Sequence, residues 1–269
     1  MRGPPAAPLN VLYRDEHLVA VEKPSGLLVH RTALDSHALD FAVQRLRVQL
    51  GRPVYPAHRL DKATSGVLLF ALAPAVHRQL SAAFEARSVS KRYLAVVRGW
   101  PAASGVIDYA LADLDDAHAG PAGAARRPAR SLFRRLAVTE LPVRVDRYPV
   151  SRYALLELEP LTGRRHQLRR HLRHVGHPLI GDTTYGQGRH NRLFRERFGC
   201  HRLLLAAVEL GLTHPVTGLP LSIAAPLAAD FGAVVAALGW DGAVPPRWWA
   251  PPAPSALPAA TAVPAAASP

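Results

Sequence analysis

The stretch AHRLDKATSGVLLFALA, Ala57 to Ala73, divides into two parts with different physics. Its second part, SGVLLFALA (Ser65–Ala73), is a continuous apolar run of strand length, the pattern of a strand buried on both faces. Its first part sets one acid, Asp61, among His58, Arg59 and Lys62, and follows it with Thr64-Ser65-Gly66. Gly66 permits a backbone conformation that other residues resist, and Thr64 and Ser65 can hydrogen-bond such a turn locally. The acid therefore belongs to a loop that enters a buried strand, where a functional group is rigidly held. A structural ion pair with Arg59, a metal ligand, a general base and a nucleophile are all compatible with these residues alone.

Working outward, NVLYRDEHLVAVEKP reads as two short strands around Asp15-Glu16. APAVHRQLSAAFEARSV reads as an amphipathic helix with Val76, Leu80 and Phe84 on its inner face. KRYLAVVRGW and RYALLELEPL read as strands, and LSIAAP as a short closing strand. RRHQLRRHLRHV reads as a helix, with Leu168, Leu172 and Val175 at helical spacing after a turn at Gly163. Strands in runs with a few helices packed on them predict an α+β fold with a mixed, mostly antiparallel sheet. The Gly-, Pro- and charge-rich segment Asp113–Ser131 is expected to be a long surface loop. Composition predicts a flexible N-terminus over residues 1–8, a single domain over 9–243 and a disordered Ala/Pro-rich tail over 244–269.

Of 269 residues, 49% are hydrophobic, enough for a substantial core. Lys and Arg total 33 against 20 Asp and Glu, a formal net charge of +13. A coding bias toward Arg accounts for Arg in place of Lys but not for the excess of base over acid. Such a surface attracts a polyanion: RNA, DNA or an anionic membrane. The single cysteine, Cys200, excludes an intramolecular disulfide. The N-terminus lacks the apolar run of a signal peptide, and Phe231–Trp240 is too short to span a bilayer. A cytoplasmic protein with no membrane association is expected.

Two further stretches carry possible chemistry. Tyr93 lies on the strand SKRYLAVVRG, where a tyrosine serves either as core or as a site residue with an apolar ring and polar tip. Arg165, Arg169 and Arg173 fall four apart on one helix face, which is either solvated or binds phosphates. An arginine at the inner edge of that face could instead reach a buried carboxylate and keep it ionised. The chain has only three lysines, Lys23, Lys62 and Lys91, each inside a candidate motif, where a compact ammonium is preferred to a guanidinium. His166, His171, His174 and His177 cluster, but without an H-E-x-x-H spacing or a cysteine pair, so no metal is expected.

Five stretches in order resemble the motifs of the RluA-type pseudouridine synthases: EKPSGLLVH, HRLDKATSGVLLFA, SKRYLAVVRG, LTGRRHQLRRHL with GHPLIGD, and LTHPVTG. The resemblance runs from about Asn10 to Trp240 and lacks a leading S4-type RNA-binding domain. It implies the pseudouridine synthase fold, with a catalytic cleft across the sheet and isomerisation of uridine in structured RNA without cofactor or metal. It implies catalytic roles for Asp61, Tyr93 and Arg169, with Arg169 pairing with Asp61 and Tyr93 against the base. His58, Arg59, Lys23, Lys62, Lys91, Arg164, Arg165 and Arg173, with the stretch GRHNRLFRER, are the RNA-binding set it leads us to expect. Within the family, VHRTALD and RYPVSRYALLELEP resemble members acting on tRNA position 65, on the T-arm side; ribosomal RNA is the alternative target, and a catalytically inactive RNA-binding protein the alternative of a different class. A monomer with no obligate protein partner is expected, because a large RNA needs the basic surface open.

Overall fold

The computed structural model describes residues 7–30, 40–114 and 125–249. In chain order the elements are β1 (Asn10–Arg14), β2 (Leu18–Lys23), α1 (Ala42–Leu50), β3 (Tyr55–Pro56), β4 (Ser65–Ala71) and α2 (Pro74–Glu85). Next come β5 (Ser90–Arg98), β6 (Ser104–Asp108), β7 (Leu111–Ala112), β8 (Arg126–Arg127), β9 (Arg130–Leu141) and β10 (Ser151–Pro160). The chain continues through α3 (Gln167–His174), α4 (Gly188–Phe198), β11 (Leu205–Thr213), β12 (Pro220–Ala224) and α5 (Ala229–Ala237). Ten strands form one sheet in the order β1-β2-β4-β11-β5-β10-β9-β6, with β3 paired to β4 and β12 to β11. Only the β4–β11 pair is parallel, so the sheet is mixed and mostly antiparallel, as the strand pattern predicts.

The apolar run after Asp61 is β4, every residue of which is buried. Alternate residues face opposite sides of the sheet. Leu68 and Phe70 pack toward α1 residues Ala42 and Leu46, whereas Val67, Leu69 and Ala71 pack with Val76 and Leu80 of α2. On β5 and β10 the same alternation sends Leu94, Val96, Tyr153 and Leu155 under α4 and α5, and Ala95, Val97, Ala154 and Leu156 under α3. Both faces are therefore covered. On the face shared with α1 and α3, two clusters meet at one side chain, Tyr93, which packs against both.

Strands β9 and β11 go beyond the sequence expectations. Exposed or half-exposed residues interrupt the alternation of β9, and β11 carries Ala206, Ala207 and Gly211, which blur an apolar period. Helices α1, α4 and α5 are likewise additional. Val175 ends α3 exposed rather than extending its apolar face, because the helix stops at His174.

The expected domain boundary at Ala243 falls short of the packing. Val244 and Trp248 are buried in the α4–α5 cluster, Leu227 N donates to Trp248 O at 2.8 Å, and Trp248 Nε1 donates to Glu209 at 2.9 Å. An indole supplies more apolar area than the prolines around it suggest. Residues 244–249 are thus part of the folded unit, and 250–269 lie outside the described residues. Of the expected surface loop, residues 115–124 also lie outside them, while its flanks pair as the β7–β8 ladder and its last two residues, Arg130 and Ser131, open β9. Residues 1–6 and 31–39 are outside as well.

Candidate active site

Asp61 sits on a turn closed by Thr64 N donating to Asp61 O at 3.0 Å, immediately before β4. The turn can run into the sheet because Gly66, at φ +112°, lies flat against Ala207 of β11. A Cβ there would come within 2.0 Å of Ala207 O, so no other residue allows this close parallel pairing. Ala207 pairs in turn with Tyr93, and Tyr93 with Leu158. Gly66, Ala207, Tyr93 and Leu158 thus form one row across four strands, which brings Tyr93 beside the Asp61 turn although 32 positions separate them in sequence.

The turn is held from behind by the EKPSG segment and by Arg202. Lys23 Nζ donates to the carbonyls of Leu27 (2.7 Å), Pro24 (2.8 Å) and Lys62 (3.1 Å). Gly26 N donates to Lys62 O at 2.8 Å and Ser25 Oγ to Ala63 O at 2.8 Å. Arg202 Nη2 donates to Ser65 Oγ at 2.5 Å, and its Nη1 to Asp230 at 2.9 Å. Burial, and next the Arg202 charge, pull the Lys23 ammonium down to about 7, while Asp61 pushes it back. Three carbonyl acceptors nevertheless require all three N–H donors of the charged form. Lys23 is fully buried, so it is a structural post and not the surface phosphate ligand expected from its motif.

Arg169 reaches Asp61 from the opposite wall. Its Nη1 donates to Asp61 Oδ2 at 3.3 Å, while its Nε and Nη2 donate to the two oxygens of Asp182 at 2.7 and 2.8 Å. Asp182 is buried and also accepts the N–H groups of Thr184 and Tyr185, each at 2.9 Å. Burial raises its carboxyl, and the Arg169 hydrogen bonds and those two N–H groups more than reverse this, holding it below its ordinary value. The preceding Gly181, at φ +79°, brings Asp182 in tight against Arg202, whose carbonyl would lie 1.8 Å from a Cβ. Asp182 is the residue that sequence reasoning missed. It ends the GHPLIGD motif, and the signal available was an acid following a glycine beside an arginine-bearing motif.

A cleft of about 580 Å³ opens on this face, lined by Asp61, Tyr93 and Arg169 together with His58, Arg59, Lys91, Arg164 and Arg165. Burial first, and the Asp61 charge second, push the Tyr93 phenol well above the usual tyrosine range. His166 begins α3 in the left-handed region, at φ +53°, with Nε2 3.9 Å from Asp61 Oδ1 and Nδ1 3.0 Å from Tyr185 Oη. Gln167 anchors the helix start: it accepts from Thr162 Oγ1 (2.7 Å) and Arg164 N (3.0 Å) and donates to Arg130 O and Ser131 Oγ (both 2.9 Å).

Three other residues of the expected RNA-binding set differ in setting. His58 lines the cleft but accepts Leu69 N at 3.2 Å and stacks on Phe84; burial, then Lys91, pull it down to about 4, so it is a neutral prop. Arg173 is exposed one turn beyond Arg169 and does not line the cleft. Lys62 is exposed outside the cleft, and its carbonyl accepts from Lys23 Nζ. The four clustered histidines have separate tasks: His166 faces Asp61 and Tyr185, His171 bonds Ser131 and Tyr109, His174 stacks on Tyr109, and His177 bonds Arg98 O. No helix among the described residues is long and apolar enough to cross a membrane.

Comparison with known proteins places these features. Residues 17–174 match the model of the RNA pseudouridylate synthase family. A protein of Pectobacterium carotovorum subsp. carotovorum named tRNA pseudouridine synthase C is 50% identical over 241 residues, 88% of this chain, which spans 64% of that protein's length. The protein of that name from Vibrio cholerae serotype O1 is 46% identical over 235 residues, covering 86% of this chain and 96% of its own. Among solved structures, human RNA Pseudouridylate Synthase Domain Containing 4 superposes with a TM-score of 0.65 at 25% identity, over 86% of this chain and 93% of its own. Human RNA Pseudouridylate Synthase Domain Containing 1 gives 0.63 at 28% identity, over 86% and 94%. With the Asp61, Tyr93 and Arg169 motifs meeting in one cleft and its sheet shared with these structures, the chain belongs to the RNA pseudouridylate synthase family, of the RluA type.

Proposed function

We propose that this protein isomerises uridine to pseudouridine in tRNA, at position 65 on the T-arm side. The observation that carries the reading is the cleft carboxylate Asp61, held by Arg169 beside Tyr93. Relatives named tRNA pseudouridine synthase C and the tRNA-type motifs support the choice of RNA.

In the reaction the C1′–N1 bond breaks, the uracil turns, and a C1′–C5 bond forms; C5 loses a proton and N1 gains one. Asp61 opens the sequence, either by attacking C1′ or by removing a ribose proton, and Arg169 holds it aimed. The freed base must stay between closed walls, which the Tyr93 ring supplies by stacking. With its phenol held protonated, Tyr93 serves as platform and hydrogen-bond donor rather than as the base that removes the C5 proton. A uridine in a stem must be flipped out to reach Asp61, and the exposed Arg59, at the cleft two residues away, supports the vacated stack.

The test is to incubate the protein with unmodified tRNA and ribosomal RNA transcripts and map pseudouridine by sequence position. Formation at tRNA position 65 is expected, and formation confined to ribosomal RNA would overturn the substrate. Asp61→Ala is expected to bind tRNA and form no pseudouridine. Turnover by that variant would remove Asp61 from its role.

A further inference from the structure

Two non-glycine residues among those described have left-handed backbone, Arg87 and His166, and both line the same cleft. His166 has an evident reason, because its ring lies against Asp61. Arg87 closes the α2–β5 corner: Arg87 N donates to Phe84 O, and Ser88 N and Ser88 Oγ both donate to Ala83 O at 3.0 Å. Those bonds make the helix-end motif in which the left-handed position is usually glycine. An arginine there strains the backbone, and such strain gathers where a side chain is needed for function.

Arg87 is needed by something outside the fold, since its side chain is exposed at the cleft. Four residues on, Lys91 projects from β5 into the same cleft as Tyr93, two residues along the strand. Lys91 is half-buried, and its Nζ makes no hydrogen bond among the described residues. Burial, and next the nearby Arg87 charge, lower the Lys91 ammonium, with Glu159 giving partial relief. Glu159 is shared with Arg92, whose Nη1 lies 3.8 Å away, and the other groups at this corner are neutral His58 and the cleft carboxylate Glu85. A half-buried ammonium beside a strained arginine is an arrangement that an anion between them stabilises.

We infer that Arg87 and Lys91 form a phosphate subsite that grips the RNA backbone next to the target uridine. This deepens the reading of the protein as a tRNA-modifying enzyme and rests on it. Binding of one phosphate by both residues makes their effects non-additive.

The subsite is tested with Arg87→Gly, Lys91→Met and the double variant, using unmodified tRNA transcripts across a salt series. Arg87→Gly relieves the backbone strain, so its thermal midpoint should equal or exceed that of the wild type. Its KM for tRNA should nevertheless rise about tenfold with kcat little changed, and the salt dependence of binding should lose about one phosphate contact. Lys91→Met should do the same, and the double variant should be little worse than either single one. Unchanged KM and salt slope in both single variants, with a wild type that isomerises tRNA, would overturn the subsite alone. A wild type that isomerises no uridine in tRNA would overturn the underlying reading and the subsite with it.

Discussion

Arg169 is bound more tightly to Asp182 than to Asp61: two bonds of 2.7 and 2.8 Å hold its guanidinium to the buried carboxylate, and one of 3.3 Å reaches the cleft. A planar fork fixed along one edge can offer its remaining N–H groups only in fixed directions, and one on Nη1 points at Asp61. Asp182 thereby aims Arg169, and Arg169 aims Asp61.

Replacing Asp182 with Asn removes the buried counter-charge and leaves the guanidinium under-compensated. Destabilisation by about 3 kcal/mol is expected, a fall of roughly 6–12 °C in thermal midpoint for a domain of this size. Pseudouridine formation should drop more than tRNA binding, because Arg169 is freed to swing. Thermal unfolding and single-turnover rates measure the two effects. Full activity in Asp182→Asn would show that Asp61 needs no such aiming.

Lys23→Met keeps the bulk of the side chain but leaves the carbonyls of Pro24, Leu27 and Lys62 without this donor. Each lost buried bond costs about 1–3 kcal/mol, so a measurable fall in stability is expected. The Asp61 turn should loosen with it, lowering kcat while tRNA affinity stays close to that of the wild type. A loss of affinity matching the loss of turnover would return Lys23 to the RNA contacts.

Gly66→Ala is expected to give little soluble protein. The added carbon meets Ala207 O at 2.0 Å, and φ +112° is strained for any other residue. Expression and far-ultraviolet circular dichroism report the outcome, and a stable, active Gly66→Ala would mean that β4 and β11 can separate without loss.

Acid sensitivity follows from the carboxylates held in their charged form. Asp182 lies below its ordinary value for the reasons given above. Asp15 also lies below it: burial raises it, but the Tyr13 hydroxyl, the N–H groups of His17 and Leu18, and His214 outweigh burial. In the window between folded and unfolded values the unfolded chain binds more protons, so stability rises with pH there. The stabilisation is complete above the unfolded value and disappears as pH falls through the folded one. Chemical denaturation should therefore show stability falling below about pH 4, with a shallower fall in Asp182→Asn. An equally steep fall in that variant would assign the acid limit elsewhere.

The same Asp15 explains one motif whose role the sequence leaves open. His214 of LTHPVTG accepts Val216 N and Thr217 N at Nδ1 and donates from Nε2 to Asp15 at 2.9 Å, tying the β11–β12 hairpin to the β1–β2 turn. Nothing in either stretch alone indicates that 199 positions separate the partners. Gln167 is similar, since a glutamine inside an arginine-rich helix reads as solvated, yet it is buried with its amide fully used.

From residues alone come the buried strand β4, the turn that presents Asp61, the strand bearing Tyr93 and the helix bearing Arg169. These are local properties, written in apolar periodicity and in the few residues that tolerate unusual backbone. The tertiary structure decided which charges face the cleft and which stand behind it. It buried Lys23 beneath the turn, neutralised His58, left Arg173 outside, and set Asp182 behind Arg169. The physical reason is that burial and partner choice depend on which strands lie side by side. A lysine or arginine carries the same charge in either setting until the sheet order assigns it to water or to the interior.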